Sequence, residues 1–114
     1  MADDVMYVDV KDGTKRVMNN TKFFVKLLSK FKDDTSINDI ETYMKEGDME
    51  KARTAAHTLK GLTANLSLTE LFKQCAELEA QIKAGSANME QVALVRDIHA
   101  KTLIEIEKVI EQYA

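Results

Sequence analysis

A chain of 114 residues, 45% hydrophobic and 31% charged, suits one domain built on a single core, residues 1–114. Its formal net charge of -3, with acids and bases interspersed, argues against a nucleic-acid partner, and its longest uncharged run, Gly61 to Thr69, is too short to cross a membrane. One cysteine excludes an internal disulfide and fits a reducing cytoplasm, and the acidic start Met1-Ala2-Asp3-Asp4 is unlike a secretory signal.

The chain has no proline, and its β-branched residues do not alternate as strands would, so the expected fold is all-α. Asp9 can cap a short first helix over Val10 to Met18, weakened by Gly13 and Thr14 and expected to lie as a lid across the end of a bundle. Asn20 or Thr21 starts a second helix with the stripe Phe24, Leu27, Leu28 and Phe31. The next apolar set, Ile37, Ile40 and Met44, is nearly opposite in phase. One straight helix could not bury both sets, so the second bundle helix breaks near residues 32–36, where Asp33, Asp34, Thr35 and Ser36 offer caps for a restart. Gly47 ends that piece and Asp48 caps the next helix. After a turn at Asn65 to Ser67, Thr69 to Lys83 carries the stripe Leu71, Cys75, Leu78 and Ile82 and closes at Gly85. Asn88 caps a last helix that turns Val92, Val95, Thr102, Leu103, Ile106, Val109, Ile110 and Tyr113 toward the core. The expected architecture is an antiparallel four-helix bundle with an additional short N-terminal helix.

The helix from Met49 to Leu66 carries the chemistry. At about 100° per residue, Ala52, Ala56, Leu59, Thr63 and Leu66 form a buried stripe, while Arg53, His57, Lys60, Gly61 and Ala64 form a second line toward solvent. His57 is therefore presented and not packed. Gly61 is a glycine inside a helix, where it costs about 0.5–1 kcal/mol relative to alanine, and it points away from the apolar stripe. Its gain is access, since it uncovers the imidazole one turn earlier; helix packing is the competing explanation. Lys60, three residues after His57, is a neighbour on the helix surface that favours a neutral, nucleophilic ring and could pair with a phosphoryl group.

His57-Thr58-Leu59-Lys60-Gly61, followed by Leu66, Leu71 and Cys75-Ala76-Glu77-Leu78-Glu79, resembles the histidine-containing phosphotransfer (HPt) domain of multistep two-component phosphorelays. The resemblance implies that His57 is the phosphoryl acceptor, that Lys60 steadies the phosphate, that Gly61 gives access and that Glu79 hydrogen-bonds the imidazole. A carboxylate on one ring nitrogen fixes the tautomer and leaves the other free to attack. It further implies a small apolar docking patch around His57 with Lys60 and Arg53 at its margin, and response-regulator receiver domains, with a hybrid sensor kinase, as partners. No cofactor is expected on this chain; magnesium belongs to the partner receiver. Ser67 stands where the family commonly has glycine and Leu62 where it has a smaller residue, two departures that bear on docking.

No glycine-rich phosphate loop, ATP-binding signature or Ser/His/Asp order is present, so the chain reads as a cytoplasmic, monomeric carrier and not an enzyme. The alternative is a helical adaptor that binds a receiver or kinase without passing phosphate. His99, between Val95 and Thr102, reads as a structural histidine and Cys75 as a small buried hydrophobe. A metal site from His57, Cys75, Glu79 and His99 is disfavoured because Cys75 and His99 face inward while His57 faces out.

Overall fold

A computed structural model describes residues 6–113. They are all-helical, in the order α1 (Val10–Arg16), α2 (Thr21–Phe31), α3 (Ser36–Glu46), α4 (Met49–Asn65), α5 (Thr69–Ala84) and α6 (Met89–Tyr113). Most helix starts have a local chemical cause. The side chains of Asp9, Asn20 and Asp48 accept from the backbone N–H groups of Asp12, Phe23 and Lys51, satisfying donors at the starts of α1, α2 and α4 that have no partner within the helix. Asn88 does the same for Gln91, whose side chain in turn accepts from the Asn88 N–H, and this reciprocal cap starts α6. Gly47 and Gly85 close α3 and α5 in the left-handed conformation, each at φ 77°.

The break expected near residues 32–36 is present: α2 ends at Phe31 and α3 begins at Ser36. Phe24, Leu28 and Phe31 are buried from the first helix and Ile37, Ile40 and Met44 from the second, so the interruption resolves their opposed phases. Thr35 holds the capping position of α3 without a side-chain cap bond. Asp34 acts in its place, accepting from the N–H and hydroxyl of Ser36 at 3.0 and 3.1 Å.

α3, α4, α5 and α6 form a closed circuit of neighbours: α3 on α4, α4 on α5, α5 on α6, and α6 back on α3. α2 packs on α6 and α1 on α2. Phe24, Leu28, Ile40, Leu59, Leu68, Leu71, Leu78 and Ile106 are fully buried, and burial of each such side chain contributes about 1.5–3 kcal/mol before the entropy of ordering is set against it. Polar ties run along the rim. Arg96 donates to Asn38 at 2.8 Å and to Glu41 at 2.5 Å, joining α6 to α3, and Lys32 reaches Glu107 at 2.5 Å, joining the break to α6.

Three expectations are corrected. α1 ends at Arg16 and not Met18; Met18 and Asn19 take φ of 57° and 62°, and Met18 is almost wholly exposed because two left-handed residues turn the chain sharply toward α2. Gly13 does more than weaken α1. A Cβ there would stand 2.2 Å from the Phe24 ring, so the absent side chain is what lets α1 lie against α2. Tyr113 is exposed rather than in the core, and Leu103 and Ile110 are only partly buried, because α6 is the longest helix and Val109 is the last residue it buries.

Candidate functional site

α4 is held by the stripe the sequence marks. Ala52, Ala56, Leu59 and Thr63 are completely buried and Leu66 nearly so, and the small alanines let neighbouring helices approach closely. That contact fixes the rotation of α4 about its axis. The opposite line, Arg53, His57 and Gly61, consequently faces solvent, with Lys60 and Ala64 partly covered at its edge.

The His57 side chain is 68% exposed and leans onto α5, where its Nδ1 lies 2.9 Å from Glu79 Oε2. Glu79 is only 15% exposed, and its other oxygen, Oε1, lies 2.7 Å from the Lys60 ammonium, an ion pair without the directed geometry of a full hydrogen bond. Burial is the largest single influence on the Glu79 carboxyl and pushes its pKa up, but Lys60 and His57 together outweigh it and hold the group below the usual carboxylate range. An ionised carboxylate only accepts hydrogen bonds, so the ring nitrogen facing it carries the hydrogen. In the neutral ring the lone pair is then on Nε2, which no described residue engages.

Lys60 differs from the simplest reading of its spacing. Its ammonium is paired with Glu79, so in this arrangement it keeps the carboxylate charged and acts on the imidazole through it. Gly61 is exposed, and a Cβ added to it would meet nothing within 4 Å. Helix packing therefore does not account for this glycine, and the open space lies on the same side of α4 as His57. The four expected site residues, His57, Lys60, Gly61 and Glu79, thus lie on one α4–α5 face. His99 and Cys75 do not join them: both are buried, and burial pushes the Cys75 thiol up to about 12.

Ser67 has φ 55°, a left-handed conformation that glycine adopts without strain, which gives the departure at this position a physical meaning. The strain is compensated by two ties to α1. The Ser67 hydroxyl donates to the Asp12 carboxylate at 2.6 Å, and the Asp9 N–H donates to the Ser67 carbonyl at 2.9 Å. Leu62 is partly buried and turned toward α2, where it lines an apolar groove with Leu27, Phe31 and Leu66, well away from the His57 side. Sequence reading missed Phe72. It stands two turns before Glu79 on the same face of α5 and is 37% exposed, and only its spacing from Glu79 could have marked it.

Residues 26–113 match the family model of the Hpt domain. No curated protein and no solved structure gives a significant match. The family match spans more than half of the chain, and the chain belongs to the Hpt domain family, whose members carry phosphoryl groups in histidine phosphorelays and interact with receiver domains.

Proposed function

We propose that this Hpt chain carries a phosphoryl group between receiver-domain aspartates on His57, with Glu79, Lys60 and Gly61 in supporting roles. The reading rests on one observation above the others: an exposed imidazole whose Nδ1–H is held by an ionised carboxylate while Nε2 is open. In the transfer, the Nε2 lone pair attacks the phosphorus of an aspartyl phosphate in line. An N–P bond forms, the P–O bond breaks, and the aspartate leaves with the bonding pair as a free carboxylate. The ring keeps its Nδ1 hydrogen and takes on positive charge, which the Glu79 carboxylate offsets as it develops. Lys60, beside the same carboxylate, lies within reach of the incoming phosphoryl oxygens by its helical spacing from His57. Gly61 leaves room for the receiver's backbone.

The second receiver takes the phosphate by the reverse step. Magnesium is supplied by the receiver, and this chain brings no nucleotide site. Connections of a few residues between α3, α4, α5 and α6 favour antiparallel neighbours, so the four form an antiparallel bundle that acts as a rigid mount. The carrier works as a cytoplasmic monomer between a hybrid sensor kinase and its regulators. No described helix is long and apolar enough to cross a membrane.

The test is transfer from aspartyl-phosphorylated receivers to the wild type and to His57→Gln. The expected result is an acid-labile, base-stable label on the wild type and none on the variant, with both equally folded. Equal labelling of the two would remove His57 from the reaction, and retained receiver binding without any label would make the chain an adaptor.

A further inference from the structure

About two turns along α4 from His57 lies a cavity of about 310 Å³ that the chemistry described above does not use. Its walls come from three places: Asp12 and Arg16 on α1, Thr63 and Ala64 at the end of α4 with Ser67 in the turn after it, and Thr69, Phe72 and Lys73 at the start of α5. Ala64 is on the same side of α4 as His57 and seven residues further on, so the cavity opens roughly 10 Å along that face. Phe72 is set two turns from Glu79 on α5, which places the same opening beside the same seam.

We propose that this cavity is an anchor pocket that selects among receiver domains by accepting one large apolar side chain, with an acidic neighbour, from the receiver docked over His57. The proposal rests on the carrier reading and deepens it. Three observations support it. The pocket opens, through Ala64, on the side of α4 that carries His57, which a donor to that ring must cover. Its volume lies at the lower end of small-ligand sites, which begin at about 300 Å³, so it suits one inserted side chain and not a cofactor. Its rim is basic: the Asp12 carboxylate is already bonded by Arg16 and Ser67, so among the described residues Lys73 leaves the rim with a net positive charge.

The wall from α1 gives the pocket its discriminating character. The family match begins at residue 26, so Ala64, Phe72 and Lys73 fall within it while Asp12 and Arg16 lie outside. The pocket therefore joins the α4–α5 face to α1. The Ser67–Asp12 and Asp9–Ser67 bonds hold that helix in place, and the Thr69 hydroxyl adds a bond to the Met6 carbonyl. A side chain in this pocket would be read partly by α1, whereas the phosphoryl group would not.

Loading and docking can be separated by experiment. The full chain is first labelled with phosphoramidate, a small donor that needs no protein surface. Purified receiver domains from the same organism are then added with magnesium, and loss of label is followed for the wild type, Phe72→Ala and Lys73→Glu. The expected result is that all three load at the same rate, that both variants release phosphate to receivers at least about tenfold more slowly, and that the defect differs among receivers. Unchanged transfer from both loaded variants to every receiver overturns the pocket and leaves the carrier intact. A wild type that does not load overturns the carrier reading itself, and a loaded wild type that no receiver discharges overturns the docking proposal.

Discussion

His57 leans out of α4 onto a carboxylate with one nitrogen open, whereas His99 lies within the packed face of α6, its ring 5.7 Å from that of Phe31 and its Nε2 buried without a hydrogen-bond partner among the described residues. The same imidazole is thus open to solvent in one place and closed off by packing in the other. Exposure is not the only difference. His57 has a partner that fixes its hydrogen, while His99 lies where charge is disfavoured: burial is the main cause that lowers its pKa, Asp34 opposes that, and Arg96 adds to it.

The contrast is broken most severely by removing its carboxylate. Glu79→Ala should slow loading of His57 by phosphoramidate by tenfold or more, since a hydrogen bond to a charged group contributes about 1.5–3 kcal/mol and each ~1.4 kcal/mol is tenfold in rate. Urea unfolding should show little change, which would separate a positioning defect from a folding one. Glu79→Gln should recover part of the rate by accepting from Nδ1–H without the charge. If alanine and glutamine load as fast as the wild type, the bond seen to His57 has no part in its reactivity.

His99 sharpens the comparison from the other side. Its folded pKa lies below the ordinary value of 6.5, so as pH falls the unfolded chain binds the proton first. Stability from this group is then full above about pH 6.5 and declines as pH drops through the folded value. His99→Leu should flatten the stability profile below about pH 6.5 and raise stability by about 1 kcal/mol, because it removes a buried nitrogen without a partner. Loading of His57 should be unchanged. The carboxyls of Asp12, Glu41 and Glu79 are all lowered from values of 3.8 to 4.5, so their losses belong to a more acidic window and can be told apart.

Two smaller effects follow. Ser67→Ala keeps the left-handed strain and loses the bond to Asp12, whereas Ser67→Gly loses the bond and relieves the strain, so alanine should be the less stable of the two by about 1 kcal/mol in chemical unfolding. Gly61→Ala meets nothing in the folded chain and should stabilise it by about 0.5–1 kcal/mol. It should nevertheless slow transfer from receivers while leaving phosphoramidate loading unchanged. A glycine that costs stability and gains only in transfer would be identified by those opposed results.

Much of this was legible in the sequence because it follows from periodicity. The stripe of α4, continued by Leu66 just past its end, is buried as its spacing requires, the phase conflict between Phe31 and Ile37 locates the break, and His57, Lys60 and Gly61 share a side by counting. Glu79 could be placed by resemblance, but its pairing with Lys60 depends on how two helices meet across a seam, which no single-helix pattern encodes. Gly13 shows the same limit. Helix propensity marks it as a weakness, and only the approach of the Phe24 ring reveals that it is required. The left-handed backbone of Met18 escaped for another reason, since dihedrals in short turns are set by what the flanking helices must reach and not by the residue alone.

The interruption between α2 and α3 also bears on how such a chain can change over time. In an uninterrupted helix, adding one residue would rotate every later side chain by about 100°, turning Ile37, Ile40 and Met44 out of the core and destroying the support of α4. With residues 32–35 as a connection, a residue gained or lost there is absorbed locally. α2 and the helix before it can then diverge in length without re-aiming the histidine.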